Sequence, residues 1–295
     1  METITWIDPL GVSTALHTVA PHQQARFVAW DLANRFSPPI RFEEDAIPEQ
    51  DGARFRAVHH EPTEFPLPVW VQGSSASDLR TKIRALATSM NPKRGDGYIR
   101  VTSPVGDQRQ IKCRVAEFDV TEKIGDTTGV SAQLVRMVFK AHTPYWEDVT
   151  ETSLIFDPAD AQPGAFLGNP FFPIRLAASE IAINTTVTNP GDVEVWPIIR
   201  INAPGNSIKI FNYTVGNVID ISSYSLSSGQ IVIDTRPGYK TVIKDGIENL
   251  WSYVTSTSGL WPLQPGANEI RLEMGDTANG YTLMEVAYTN QYLSP

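Results

Sequence analysis

The histidines are the first place to look for chemistry, and the chain has five: His17, His22, His59, His60 and His142. Only His59 and His60 adjoin. Neighbours on a strand point to opposite faces, so two-point metal ligation there is geometrically poor. The sequence holds no Gly-rich phosphate loop, nucleophile elbow, Cys-pair zinc pattern or His-Glu-x-x-His. Asp126-Thr127-Thr128-Gly129 departs from the aspartic-protease Asp-Thr-Gly by an extra Thr and reads as a turn. With 33 acidic side chains, some carboxylate pair is always available, so none is singled out for glycoside hydrolysis. The lone cysteine, Cys113, excludes an intrachain disulfide. It alternates with Ile111 and Val115 against Lys112 and Arg114, which places it on the apolar side of a strand as a small buried hydrophobe. Aromatics offer one binding option: Trp196, Trp251 and Trp261, with Tyr253 and Tyr281, as a platform on which a sugar stacks. The competing and favoured reading has them sealing a sandwich core. No catalytic residue, metal site or cofactor is expected.

The elements that would carry such residues differ between the two halves. Beyond residue 160 the chain is punctuated by Asn189-Pro190-Gly191, Asn202-Ala203-Pro204-Gly205, Arg236-Pro237-Gly238 and Leu263-Gln264-Pro265-Gly266-Ala267-Asn268. Pro presets φ at one turn position and Gly accepts φ > 0 at the next, so each pair reverses the chain. Short strands are expected near 171–176, 179–188, 192–202, 207–212, 217–221, 230–235, 240–244, 268–274 and 281–289. In Glu269–Met274, Ile270, Leu272 and Met274 face inward. That spacing is the pattern of an antiparallel sandwich or jelly roll.

In the first half, Glu2 to Ile7 reads as a strand, Gly11 to Gln24 as a polar stretch, and Ala25 to Trp30 as strand or helix, with strand favoured. Residues 37–68 are rich in Pro and acids and predict irregular loops and edge strands. One helix is expected, capped by Ser77 or Asp78. Leu79, Ile83, Leu86 and Met90 lie on one face, and Asn91-Pro92 stops it. A hairpin follows, Tyr98–Thr102 and Gln110–Val120, with a bulge near Ala116 where the alternation changes phase. A long strand then runs from Ser131 to Ala141. The division expected is a domain over 1–150, a linker over 151–168 and a sandwich over 169–295. The fold class is mainly β with one helix.

Of 295 residues, 41% are hydrophobic and 19% charged, an ordinary globular balance. The net charge of −9 is shared unevenly: residues 1–150 hold 17 Lys and Arg against 19 Asp and Glu, and residues 151–295 hold 7 against 14. An acidic surface repels phosphate backbones, which argues against a nucleic-acid reader. It does not forbid a duct through which DNA passes, where like charge would stop the polymer sticking. The N-terminus lacks the pattern of a signal peptide, and no apolar run approaches the ~18 residues of a membrane span. Folding in a reducing cytoplasm is expected.

Taken in order, these segments resemble the siphovirus-type tail components, the distal tail proteins of long-tailed bacteriophages. In the second half the resemblance rests on Asn189–Asp192 followed by Trp196–Ile201, on Gly229–Asp234, on Tyr239–Val242 and on Ser258–Ile270. In the first half it rests on the order of helix 78–90, basic hairpin, strand 131–141 and closing Pro144-Tyr145-Trp146. The resemblance implies a ring-forming N-terminal domain, assembled as a homo-hexamer around a DNA channel, and a peripheral galectin-like sandwich. It implies a hub in the virion tail tip, between the tail tube protein and the tape-measure and tail-tip or receptor-binding proteins, without enzymatic activity or membrane insertion. Edge strands near 65–72 and the hairpin at 98–120 are the candidate subunit contacts, with Trp70, Val71, Arg80, Arg84 and Arg100 as their residues. A solvated face is the ordinary reading of Arg80 and Arg84. Pairing with an acidic neighbouring subunit is the functional one. The alternative function is a carbohydrate-binding or adhesion module using the sandwich.

Overall fold

The computed structural model describes residues 2–17, 26–28, 36–49, 51–120, 132–156, 180–275 and 282–295. They form two compact units, Met1–Val149 with Tyr292–Pro295 and Thr150–Gln291.

The first unit contains β1 (Thr3–Ile7), β2 (Ser13–His17), β3 (Arg26–Val28), β4 (Ile40–Ala46), β5 (Ala53–His60), β6 (Thr63–Pro66), β7 (Val69–Gln72), α1 (Ala76–Ser89), β8 (Gly97–Thr102), β9 (Gln108–Val120), β10 (Ala132–Ala141) and β11 (Trp146–Asp148). An antiparallel sheet runs in the order β2-β1-β8-β9-β10-β7-β3, with β6 also on β10 and β11 on β9. β9 is the backbone of this arrangement. Residues 108–113 pair with β8, and residues 114–120 pair with β10. The register slips where Glu117 opposes Val138 while Val115 opposes Phe139, leaving Ala116 as the extra residue. The bulge lies at the expected place, and it bends the strand where it passes from one neighbour to the other.

The helix covers the core this bend creates. Leu79, Leu86 and Met90 are buried and Ile83 packs against them, as the 3.6-residue period requires. The cap is Ser75, not Ser77 or Asp78: its Oγ accepts the Asp78 N–H at 3.2 Å. Asp78 accepts from the Ser74 N–H at 2.8 Å and pairs with Lys82 at 2.9 Å. The far end of α1 is tied to β1, because the Trp6 indole N–H donates to the Ser89 carbonyl at 3.1 Å. Trp6 lies 5.3 Å from the Phe139 ring, which stacks on Phe65. A side chain at Gly97 would strike the Trp6 ring and the Ile7 carbonyl, so only Gly lets β8 pass there. Cys113 is buried, and burial pushes its thiol far above the usual range, which leaves it inert.

The second unit is a sandwich built from β12 (Thr152–Phe156), β13 (Glu180–Asn189), β14 (Ile198–Asn202), β15 (Gly205–Asn212), β16 (Asn217–Leu226), β17 (Gln230–Asp234), β18 (Thr241–Lys244), β19 (Glu248–Asn249), β20 (Gly266–Gly275) and β21 (Met284–Tyr288). One sheet runs β12-β21-β14-β17-β18-β19 and the other β13-β20-β15-β16. Their inner faces interdigitate through Ile199, Ile201, Ile231 and Ile233 on one side and Ile208, Ile210, Leu272 and Met274 on the other.

Several expectations are corrected. Thr152–Phe156, placed in the linker, is a strand paired along β21. Ser13–His17, read as part of a polar stretch, is a strand on β1; Leu16 is its buried anchor. The strand expected over 192–202 starts only at Ile198, after Pro197, with Val195 held in an isolated bridge to Leu263. Tyr292–Pro295 fall in the first unit, where the Arg109 guanidinium lies 3.6 Å from the Tyr292 ring centroid and Arg109 Nη1 donates to the Ser294 carbonyl at 2.7 Å. The strand expected near 171–176, most of the 151–168 tract, Tyr281, His22 and Asp126–Gly129 lie outside the described residues.

The Pro-Gly turns divide by job. Gly238 and Gly266 take φ of 84° and 90°, as a turn of that kind demands. Gly191 and Gly205 do not, and are fixed by close approach to the Gln291 backbone and the Met274 side chain. Buried asparagines clamp these turns. Asn268 Nδ2 donates to the carbonyls of Gln264 at 2.8 Å and Gly266 at 3.1 Å, while Oδ1 accepts the Gln264 N–H at 2.8 Å. Asn189 Nδ2 donates to Val193 O at 2.9 Å and its Oδ1 accepts the Gly191 N–H at 2.9 Å. Asn268→Ala leaves those buried groups without partners. It is expected to cost roughly 2–3 kcal/mol in urea unfolding followed by tryptophan fluorescence, and a loss below ~0.5 kcal/mol would contradict the clamp.

Candidate functional site

The surface that the fold leaves unfinished is the hairpin β4-β5. It is a two-stranded sheet that pairs with no other described strand. Register assigns its faces: Ile40 opposes His60, Phe42 opposes Val58 and Glu44 opposes Phe55, with Arg56 as the extra residue at a bulge. Opposed residues share a face. One face therefore carries Ile40, Phe42, Phe55 and Val58, which are 50%, 59%, 58% and 49% exposed. Phe42 and Phe55 touch edge to face at 6.4 Å. The other face is a web of ions: Arg41 with Glu43 at 3.3 Å and with Glu61 at 3.7 Å, His59 with Glu43 at 3.5 Å, and Arg56 with Asp45.

The base of this arm is fixed while its length projects. His60 Nδ1 meets the Tyr145 hydroxyl at 2.9 Å, and the Glu61 N–H donates to Pro39 O at 2.8 Å. His59 and His60 thus point to opposite faces, as expected of strand neighbours. Among the described residues no group of three or more His, Cys, Asp or Glu could hold a metal ion, and no helix is long and apolar enough to cross a membrane.

A lone two-stranded hairpin is marginal in water. Covering these four side chains would remove on the order of 350 Å² of apolar surface, worth about 9 kcal/mol before the costs of association. Sequence reasoning missed this face because residues 37–68 are broken by Pro and dense in charge. The period-2 signal in Ile40-Arg41-Phe42 and Phe55-Arg56-Ala57-Val58 is short, and the bulge shifts its phase.

The residues chosen from sequence as subunit contacts fall in different environments. Val71 is fully buried, so it belongs to the core and is withdrawn as a contact. Trp70 is half-buried on the opposite face of β7, which is no edge: Leu134 of β10 flanks it on one side and Phe27 of β3 on the other. Arg80 and Arg84 are exposed, four apart on α1, and pair with no carboxylate among the described residues. Arg100 is internally engaged. Its Nη2 donates to Gln110 Oε1 at 2.9 Å, and Gln110 Nε2 donates to Glu147 Oε1 at 3.3 Å.

On the sandwich, Trp261 is fully buried and Leu263 beside it likewise, so the core-sealing reading holds for it and the three-tryptophan platform does not form. Trp196 is half-buried with the Lys240 ammonium 5.9 Å from its ring centroid, and Trp251 is 47% exposed on a short 3-10 turn.

A phage tail protein RIFT-related domain matches residues 23–129, and a siphovirus-type tail component C-terminal domain matches residues 190–292. No curated protein matches the sequence. The SPP1 Dit protein (gp 19.1), described as a paradigm of hub adsorption apparatus in phages infecting Gram-positive bacteria, has a similar fold. The TM-score is 0.65 at 15% identity, over 99% of this chain and 100% of that one. A chain of the phage P2 baseplate in its activated conformation with Ca is similar at TM-score 0.52 and 10% identity, over 98% of each chain. Both domains and the whole fold agree. This is a structural component of a phage tail, and the chain belongs to the siphovirus-type tail component family, the distal tail proteins.

Burial raises the Glu147 carboxyl above the ordinary glutamate range, against the opposing hydrogen bond from Gln110 and the charge of Lys112. The folded state therefore favours the protonated form. Its contribution is complete in acid and is lost as pH rises from the ordinary glutamate value through the raised one. Glu147→Gln stays neutral, so the urea midpoint of the variant should lack the decline that the parent shows across that window. Parallel pH profiles would contradict this assignment.

Proposed function

We propose that the protein is the hub of the tail tip, with copies of the first unit closing into a homo-hexameric ring that surrounds the DNA channel. The single observation that carries this reading is the uncovered apolar face of the β4-β5 arm. A monomer gains nothing from exposing four adjoining apolar side chains. The surface that receives the arm is a different one, because the arm presents an apolar face and acids while α1 presents unpaired cations. Glu44 shares the face of Phe42 and Phe55 and has no cation partner among the described residues, so it complements Arg80 or Arg84 of a neighbour. A contact between two unlike surfaces is heterologous, and heterologous contacts make a ring when the rotation from copy to copy closes, as this reading requires.

In this reading the sandwich serves as a docking lobe for the tail-tip or receptor-binding proteins, while the tail tube and tape-measure proteins meet the ring. DNA passes without specific binding, since net charge is −9 and like charges repel. Assembly in the host cytoplasm follows from the same role.

Mass photometry and light scattering test the ring. The expected species is six times the chain mass of 32.6 kDa. Phe42→Ser with Phe55→Ser should yield monomers with an unchanged circular dichroism spectrum, because both rings are exposed. A parent protein that stays monomeric at tens of micromolar contradicts the proposal. Arg80→Glu with Arg84→Glu should weaken assembly about tenfold or more, and Glu44→Arg added to that pair should recover part of it. An unchanged assembly constant would remove the charge contact while leaving the apolar one standing.

A further inference from the structure

The outer face of the sheet β13-β20-β15-β16 carries a groove of about 420 Å³, lined by Asn184, Thr186, Tyr213, Glu269 and Arg271 among others. We propose that this groove binds a neutral pyranose, a hexose unit of a glycan, through an aromatic plate and a row of planar polar groups. Tyr213 supplies the plate. It is 52% exposed and stacks on Phe211 with ring centroids 5.7 Å apart and planes 8° from parallel. Such a ring offers its face to the C–H side of a sugar while the hydroxyls remain for polar partners.

The polar row is set by register. Asn184 and Phe211 both oppose Arg271, on its two sides, and Thr186 opposes Glu269. Asn184, Thr186, Glu269 and Arg271 therefore share the outer face with the aromatic pair. Arg271 is oriented by Glu273, which holds its Nη2 at 2.7 Å. A fork-shaped guanidinium, a carboxylate and an amide side by side suit the paired donors and acceptors of vicinal hydroxyls.

The site is built before any ligand arrives. The Tyr213 N–H donates to the Glu269 carbonyl at 2.9 Å, and the Glu269 N–H donates to Thr214 Oγ1 at 3.0 Å. Fully buried Asn212 pins the following turn, its Oδ1 accepting the Thr214 N–H at 3.1 Å and its Nδ2 donating to Pro262 O at 3.3 Å. A plate held this firmly loses little freedom on binding. Charge selects the ligand class. Among the described residues of this face Glu269, Glu273 and Asp220 outnumber Arg271 and Lys209, and residues 151–295 hold 14 acids against 7 cations, so a phosphodiester polymer is repelled and a neutral sugar is not.

Saturation-transfer difference NMR on the full chain, in whatever assembly it forms, reads this independently of ring closure. The probes are methyl β-galactopyranoside, methyl α-glucopyranoside and N-acetylglucosamine, with polyglycerol phosphate as the anionic arm. At least one sugar should receive saturation at its ring C–H protons. That signal should fall severalfold in Tyr213→Ser and in Asn184→Ala and persist in Trp251→Ala. Both variants alter exposed side chains, and unchanged circular dichroism shows that they fold. Silence for all three sugars overturns the proposal. So does a signal that survives both substitutions, or one that polyglycerol phosphate matches, which would mark the face as a docking surface of another kind.

Discussion

Water against one face of a two-stranded hairpin is the constraint from which the functional account grows. The strands Ile40–Ala46 and Ala53–His60 pair with each other, and on their ionic face Arg41 meets Glu43 and Arg56 meets Asp45. Its apolar face has no such internal solution. The core of the first unit is already closed by α1, by Trp6 against Phe139 and by the bend of β9. At the base of the arm His60 meets the Tyr145 hydroxyl, and the Glu61 N–H closes the two strands onto Pro39 O. Phe42 and Phe55 stay exposed although that core is complete, and the proposed contact with another copy rests on that observation.

The sandwich solves its own problem differently. Its turns are short and bring polar backbone close to the core, and Asn189, Asn212 and Asn268 each place a buried amide where that backbone needs both a donor and an acceptor. Trp261 and Leu263 fill the space beneath. Such a lobe is rigid without disulfides, which a chain with one cysteine cannot form. These clamps also hold Tyr213 and Arg271 in fixed relation on the outer face, as the proposed groove requires.

Legibility in the sequence followed the strength of local patterns. The helix was readable because Leu79, Ile83, Leu86 and Met90 repeat at one period, and the bulge at Ala116 because the alternation of β9 changes phase there. Ile270, Leu272 and Met274 announced β20 in the same way. The cap expected at Ser77 or Asp78 lies at Ser75, because Ser74, Ser75 and Ser77 are chemically alike and only geometry chooses among them. Strand β12 was hidden by its neighbourhood of Pro and Gly, and its partner β21 lies far along the chain, a tertiary relation that no window reveals. Val71 reads as well for a surface contact as for core, because alternation shows that two faces exist, not which one the core claims. The groove drew no attention because Asn184, Tyr213 and Arg271 come from three strands and meet only through register.

The most direct test of the central claim is hydrogen–deuterium exchange of residues 40–60, in the assembled protein and in the Phe42→Ser, Phe55→Ser form, under identical conditions. If a neighbouring copy covers the arm, its amides should exchange at least tenfold more slowly in the assembly, with core strands such as β9 unchanged between the two. Equal exchange of the arm in both would mean that its apolar face stays in water after assembly, and the account of the ring contact would be wrong.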